Sequence, residues 1–254
     1  MKKFSLVQSG LLALTLAAFI MAGNTASAQF TNGGFEDGTL TGWNQGYGYW
    51  YGGAIDPSTY LNGITSPATQ IVTPGFDPVV GSKLNQVYNG NYAVRVNNSF
   101  QDYSVSAISQ TVHNYTDTHI YFDWAAVLES SHGPADSDNF SLKLTDDTKN
   151  LTLYSVQYNS ASNGPIFSYL NGWYYTDWQV QDLDVSQYLG DTFTLSLLAS
   201  DCPYGGHAGY VYLDGFRSTV SITTGAVPEP STYGMIGASL LLVCAMLRRR
   251  FAKR

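Results

Sequence analysis

Cysteine is almost missing from this chain. Two occur in 254 residues, Cys202 and Cys244. Cys244 lies in a C-terminal apolar stretch, so the domain before it holds a single thiol and no internal disulfide. Stability must then come from the size of the core, with a bound cation as the second source. Basic residues are scarce away from the two ends. Of 12 Lys and Arg, seven are Lys2, Lys3, Arg248, Arg249, Arg250, Lys253 and Arg254, whereas Glu229 is the one acidic residue of 19 in the same end segments. The chain between them carries 5 basic and 18 acidic residues, a net charge of −13. Nucleic acid and anionic lipid both require a basic footprint, so neither suits this domain as a partner. Divalent cations and neutral sugars do. Also absent are internal repeats, a long helical period and a phosphate-cradling glycine loop. His113, His119 and His132 show no zinc-ligand spacing.

What is present begins at the ends. Lys2 and Lys3 precede an apolar run from Leu11 to Met21, and Ala26-Ser27-Ala28 is a small-x-small cleavage site. That order of features is a secretory signal peptide over residues 1–28, with the mature chain starting at Gln29. At the other end, Val227-Pro228-Glu229-Pro230 leads into an apolar stretch, Tyr233 to Leu247, closed by Arg248-Arg249-Arg250 and Lys253-Arg254. Fifteen residues of helix reach roughly 22 Å, short of a hydrocarbon core of about 30 Å, so a span needs snorkelling arginines or a thinned bilayer. With basic residues held inside at both ends, everything between is exported.

The tail over residues 227–254 closely resembles that of PEP-CTERM proteins of Gram-negative bacteria. The resemblance rests on the Pro228-Glu229-Pro230 motif, the short apolar segment and Arg248, Arg249 and Arg250 in that order. It implies an exosortase as processing partner, exopolysaccharide as surroundings, an intermediate anchored in the inner membrane, and a final place at the cell surface or in the extracellular (biofilm) matrix. A permanent single-pass anchor is the alternative to a tail that is cut.

Residues 29–226 suffice for one sizeable core. Short runs rich in Val, Ile, Thr, Tyr and Phe alternate with Gly, Asn, Asp and Ser clusters, the pattern of an all-β domain. Eight strands are expected, at 92–96, 104–112, 120–127, 140–144, 151–157, 178–183, 193–199 and 210–216, with a helical turn near 184–190 and a hairpin turn at Asp146-Asp147. That number of strands predicts a two-sheet β-sandwich, a jelly roll. Residues 45–89, 130–139 and 159–164 read as loops, where binding usually sits.

The opening Asn32-Gly-Gly-Phe35-Glu36-Asp37-Gly with Gly42-Trp43, and the closing Gly209-Tyr-Val-Tyr-Leu213-Asp214-Gly-Phe216, look like galactose-binding-type jelly rolls, which include many carbohydrate-binding modules. The stretch from Asp201 to Asp214 is also similar to a signature near the end of surface sandwich domains in exported bacterial proteins. The galactose-binding-like resemblance implies a structural calcium ion held by Glu36, Asp37 and Asp214 with backbone carbonyls. Calcium takes six to eight oxygens, and turn hydrogen bonding is the competing role for these carboxylates. Asp136-Ser-Asp138-Asn139 lacks the glycine and terminal glutamate of an EF-hand and reads as a solvated loop.

Two aromatic clusters stand out, at Tyr47-Gly-Tyr49-Trp50-Tyr51 and Trp173-Tyr174-Tyr175-Thr-Asp177-Trp178. Exposed flat rings stack on the apolar faces of sugars at little entropic cost. Tyr47, Tyr49, Trp50, Tyr51 and Tyr174 are therefore the candidate ligand-binding residues, while Trp43, Trp124 and Trp178 fit the core. Cys202, His207 and Asp214 match no nucleophile arrangement, and no carboxylate pair suggests a glycosidase. The expectation is a non-enzymatic, polysaccharide-binding surface protein, with a structural or adhesive protein lacking a sugar site as the alternative.

Overall fold

The computed structural model describes residues 30–218. Fourteen strands are formed there: β1 (Asn44–Tyr49), β2 (Gln70–Val72), β3 (Phe76–Asp77), β4 (Gly81–Asn85), β5 (Ala93–Val96), β6 (Ser104–Val112), β7 (His119–Glu129), β8 (Asn139–Asp146), β9 (Leu151–Asn159), β10 (Phe167–Leu170), β11 (Trp173–Thr176), β12 (Gln179–Asp184), β13 (Phe193–Ser200) and β14 (Gly209–Arg217). They build an antiparallel sandwich. One sheet has five strands in the order β1-β6-β13-β8-β9. The other has seven, in the order β10-β11-β7-β14-β5-β2 with β12 also pairing β7, and β3-β4 form a separate hairpin. The helices are one turn each, α1 (Pro57–Tyr60), capped by the Asp56 carboxylate on the Ser58 amide, and a 3₁₀ turn at Ser186–Tyr188. Among the described residues, no helix is long and apolar enough to cross a membrane.

Side chains alternate across a strand, and that alternation builds the core. Ile108, Leu195, Leu197, Phe140, Leu142 and Leu144 from the five-stranded sheet meet Val94, Val96, Phe122, Trp124, Ala126, Leu128, Val211 and Leu213 from the other in one buried cluster. The outer faces are partly covered as well. Ala125, Val127, Tyr210 and Tyr212 lie under Val80 and Leu84 of the β3-β4 region. Val105, Ala107 and Leu198 lie under Trp50, Ile55, Tyr60 and Leu61. Cover on both faces explains why β7 is a nearly unbroken apolar run rather than an alternating one.

The covering hairpin is fastened by Asp77, which is 2% exposed. Its Oδ1 accepts from the Val79 and Val80 amides at 2.8 and 2.7 Å. Its Oδ2 accepts from the Tyr210 and Tyr212 hydroxyls at 2.9 and 2.8 Å. The two ends of the domain meet: the Phe216 amide donates to Gly33 O at 3.0 Å, and the Phe30 and Phe216 rings are 4.2 Å apart. A Cβ at Gly33 would lie 1.8 Å from Phe216 O, so this closure requires glycine.

The eight expected strands all form, and β6 has the expected bounds. The helical turn is present at Ser186–Tyr188, and the β8-β9 hairpin turns just after Asp146. The region 45–89 departs from a loop, because it contains β1 to β4 and α1. The opening segment, Asn32 to Gly38, is a turn joined to β14. Residues 130–138 form the expected loop, but Asp136 to Asn139 departs from a solvated stretch, because Asp138 is fully buried and Asn139 is 4% exposed. The Asp138 Oδ1 accepts from Ser160 Oγ at 2.6 Å, and its Oδ2 is buried without a partner. The signal peptide, Pro228, Glu229, Pro230, and Arg248 to Arg250 lie outside the described residues.

Candidate functional site

β1 is the edge strand of the five-stranded sheet and pairs with β6 so that Tyr47 faces Ser106 and Tyr49 faces Ser104. Tyr47, Tyr49 and Tyr51 share one side of the chain, and Gly46, Gly48 and Trp50 share the other. The tyrosine side forms a run of rings: Tyr47 to Tyr49 at 5.5 Å edge-on, Tyr49 to Tyr51 at 6.5 Å stacked, and Tyr51 to Tyr103 at 5.4 Å. Tyr49 is 51% exposed and Tyr51 74%. Neighbouring rings and burial hold the Tyr47 phenol protonated well above its ordinary range, burial being the larger cause. Tyr47 and Tyr49 of this run are carried by a paired strand. Tyr103, with its backbone at φ 67°, completes it and was not singled out from the sequence.

Trp50 is a correction. It is 4% exposed and packs on Val105, Ala107 and Leu198, so its ring face is not available to a sugar. Its indole edge borders a cleft with Ile55, Pro134, Asn139, Gln157 and Asn159. Tyr174 is not brought to the stack. It lies on β11 of the other sheet, half-buried, with its ring 5.0 Å from that of Tyr169. Trp43 and Trp124 are in the core as expected. Trp178 is half-buried and donates from Nε1 to Asn85 O at 2.9 Å.

The carboxylates expected to hold calcium are divided. Asp214, 1% exposed, and Glu36 border one cleft of about 360 Å³ with Gly34, Asn89, Gly90 and Arg217. Asp214 Oδ2 accepts from the Tyr88 and Asn89 amides at 3.1 and 3.0 Å. Burial outweighs those bonds and pushes its carboxyl up to about 7. Glu36 accepts from the Asn91 amide at 3.0 and 3.1 Å, and a Cβ on Gly90 would sit 2.2 Å from its Oε1. A cradle of two carboxylates that only glycine leaves open fits a hard cation. Asp37 is the correction. Its Oδ1 is taken up by Asn32 Nδ2 at 2.6 Å, Thr39 N at 2.8 Å and Thr39 Oγ1 at 2.7 Å, so it makes the turn and does not border the cleft.

A third grouping joins residues distant in sequence. The loop after β7 and the loop after β13 leave the sandwich at the same end, because β7 pairs β14 and β13 pairs β8. This brings His132 beside Cys202 and His207. Asp201 anchors the second loop: it accepts from Asn97 Nδ2 at 2.9 Å, and its Oδ2 accepts the Asp102 and Ser104 amides at 3.0 and 3.1 Å.

Residues 226–250 match the PEP-CTERM protein-sorting motif. The chain thus carries the signal of an exported protein that is sorted through its C-terminus. No curated protein sequence matches the chain. Among solved structures, it is similar to the TmCBM61 module in complex with β-1,4-galactotriose, at 14% identity and a TM-score of 0.43, covering 75% of this chain and 96% of that one. It is similar to the Caldicellulosiruptor saccharolyticus CBM27-1 module in complex with mannohexaose, at 15% identity and a TM-score of 0.39, covering 73% and 94%. A non-crystalline-cellulose-specific CBM28 module gives 16% identity and a TM-score of 0.35, covering 72% and 89%. All three are carbohydrate-binding modules.

Proposed function

We propose that the domain is a non-catalytic glycan-binding module of an exosortase-processed protein, displayed at the surface or in the matrix of a Gram-negative bacterium. The observation that carries the reading is the run of exposed rings at Tyr49 and Tyr51, backed by Tyr47 and Tyr103. Tyr49 is held by a paired strand and Tyr51 by the rings of Tyr49 and Tyr103, so both lose little freedom when a sugar lies on them and most of the contact energy is kept as affinity. The −13 charge of the exported region favours neutral polysaccharide over polyanionic chains.

Tyr49→Ala combined with Tyr51→Ala tests this. At about 1 kcal/mol per lost ring contact, the pair should weaken retention in polysaccharide affinity electrophoresis roughly thirtyfold. The rings are exposed, so the melting temperature should stay at the wild-type value. Full retention by the double variant would move binding off β1. Failure of the folded wild-type chain to bind any glycan would favour an adhesive role instead.

Glu36 and Asp214 would hold a structural calcium ion, which would neutralise two acids and tie the opening turn to β14. A ligand present at about 100 times its Kd adds roughly 2.7 kcal/mol to the native state, or about 5–10 °C for a domain of this size. Chelation should lower the melting temperature by that amount, and calcium alone should restore it. Glu36→Gln should abolish the calcium response. A melting temperature that ignores both treatments would sink the assignment.

A further inference from the structure

The geometry points to a second, chemically different metal site. We propose that His132, Cys202 and His207 bind a transition-metal ion, with zinc as the ion they fit. Each offers one ligand atom, and the three atoms lie within 4.8 Å of one another. Cys202 Sγ and His207 Nδ1 are 3.6 Å apart. An ion bound tetrahedrally at about 2.3 Å to sulfur and about 2.0 Å to nitrogen holds such a pair roughly 3.5 Å apart. The His132 and His207 rings meet edge to face at 4.7 Å, so a modest movement of the exposed His132 closes the set.

The surroundings suit this chemistry. The Gly206 amide donates to Cys202 Sγ at 3.4 Å, so the sulfur is held in place at the tip of its turn. The Cys202 amide donates to His207 O at 2.9 Å, so the turn that carries both ligands is already fixed. Among the described residues, the ion pair involving a histidine is His119–Asp182, and neither His132 nor His207 is held by a carboxylate. One thiolate and two imidazoles select zinc-like ions over calcium, which prefers oxygen. Three protein ligands leave a fourth position open to solvent or to a partner's side chain. Bound metal would clamp the loop after β7 to the loop after β13, a crosslink made without a disulfide, since Cys202 is the single cysteine among the described residues.

The test uses the full-length chain, purified in mild detergent under reducing conditions and titrated with zinc chloride against a chromophoric chelator. One zinc ion per chain is expected. Cobalt(II) in its place should show a thiolate-to-cobalt charge-transfer band that zinc displaces. Cys202→Ser should remove that band. His132→Ala, at an exposed position that leaves folding intact, should weaken zinc by more than the roughly 10–100-fold typical of losing an outer partner. Both should leave the calcium response of the Glu36–Asp214 cleft unchanged. Zinc that fails to bind, or binds with wild-type affinity in His132→Ala, would overturn the proposal and leave a thiol–imidazole hydrogen bond.

Discussion

Asp77→Ala should lower the stability of the domain by about 4 kcal/mol, from four buried donors left without an acceptor at about 1 kcal/mol or more each. Two are the Val79 and Val80 amides of the covering hairpin, and two are the hydroxyls of Tyr210 and Tyr212 on β14. Both tyrosines are fully buried, so water cannot replace the lost carboxylate without opening the hairpin. The loss is a large share of the 5–15 kcal/mol typical of a folded domain. Tyr210→Phe removes one hydrogen bond and one donor together, so it should cost nearer 1 kcal/mol. Urea unfolding followed by tryptophan fluorescence separates the two. Equal midpoints for wild type and Asp77→Ala would mean that solvent reaches these donors in the native state.

The second large effect is expected from Asp138→Asn, and it is a gain. Burial raises the Asp138 carboxyl well above the ordinary range, with Glu129 and Asp201 adding to the shift against the Ser160 hydrogen bond. Below the unfolded-state value of about 4, both states hold the proton and the group contributes its full stability. As pH rises from there through the folded value, the unfolded chain releases a proton that the native state keeps, and stability falls. Asp201, raised to about 7 by burial, acts in the same sense. Asparagine carries no charge to desolvate, so Asp138→Asn should be more stable than wild type by about 2 kcal/mol at pH 8. At pH 4 the two should be nearly equal. A difference that does not change between those pH values would show that the titration of Asp138 does not set the slope.

The strands that the sequence made legible are those with apolar residues on both faces or clean alternation, such as Ser104–Val112 and Phe193–Ser200. β1 stayed hidden because its positions under the outer cover are Gly46 and Gly48, which carry no apolar signal. They are small for a reason found elsewhere in the chain: a Cβ on Gly46 would lie 1.6 Å from Tyr60 O. Once β1 is seen as a strand, period two places Tyr47, Tyr49 and Tyr51 together and turns Trp50 to the opposite side, into the cover of the sheet. Reading the aromatic run as a cluster put all four rings in one site. The Glu36 and Asp37 pair failed similarly. Adjacent residues point apart, and only Glu36 faces Asp214. His132 is some 70 residues from Cys202, and nothing local connects them. Their meeting follows from two loops crossing between the sheets at one end, which is a property of strand order alone.

The meeting of Phe30 with Phe216 also decides how the molecule is hung. Thr31 bonds Gln110 near the far end of β6, while Tyr51 touches Tyr103, just before its start. At about 3.4 Å per residue, β6 puts roughly 24 Å between them. β14 runs the same axis in the same direction, from Gly209 beside the His132 cluster to Arg217 beside the entry point. Chain entry and exit therefore lie side by side at a single pole. The tyrosines ride at the opposite pole, so a chain held at a surface by its C-terminus would present them outward, like a lamp at the top of a post.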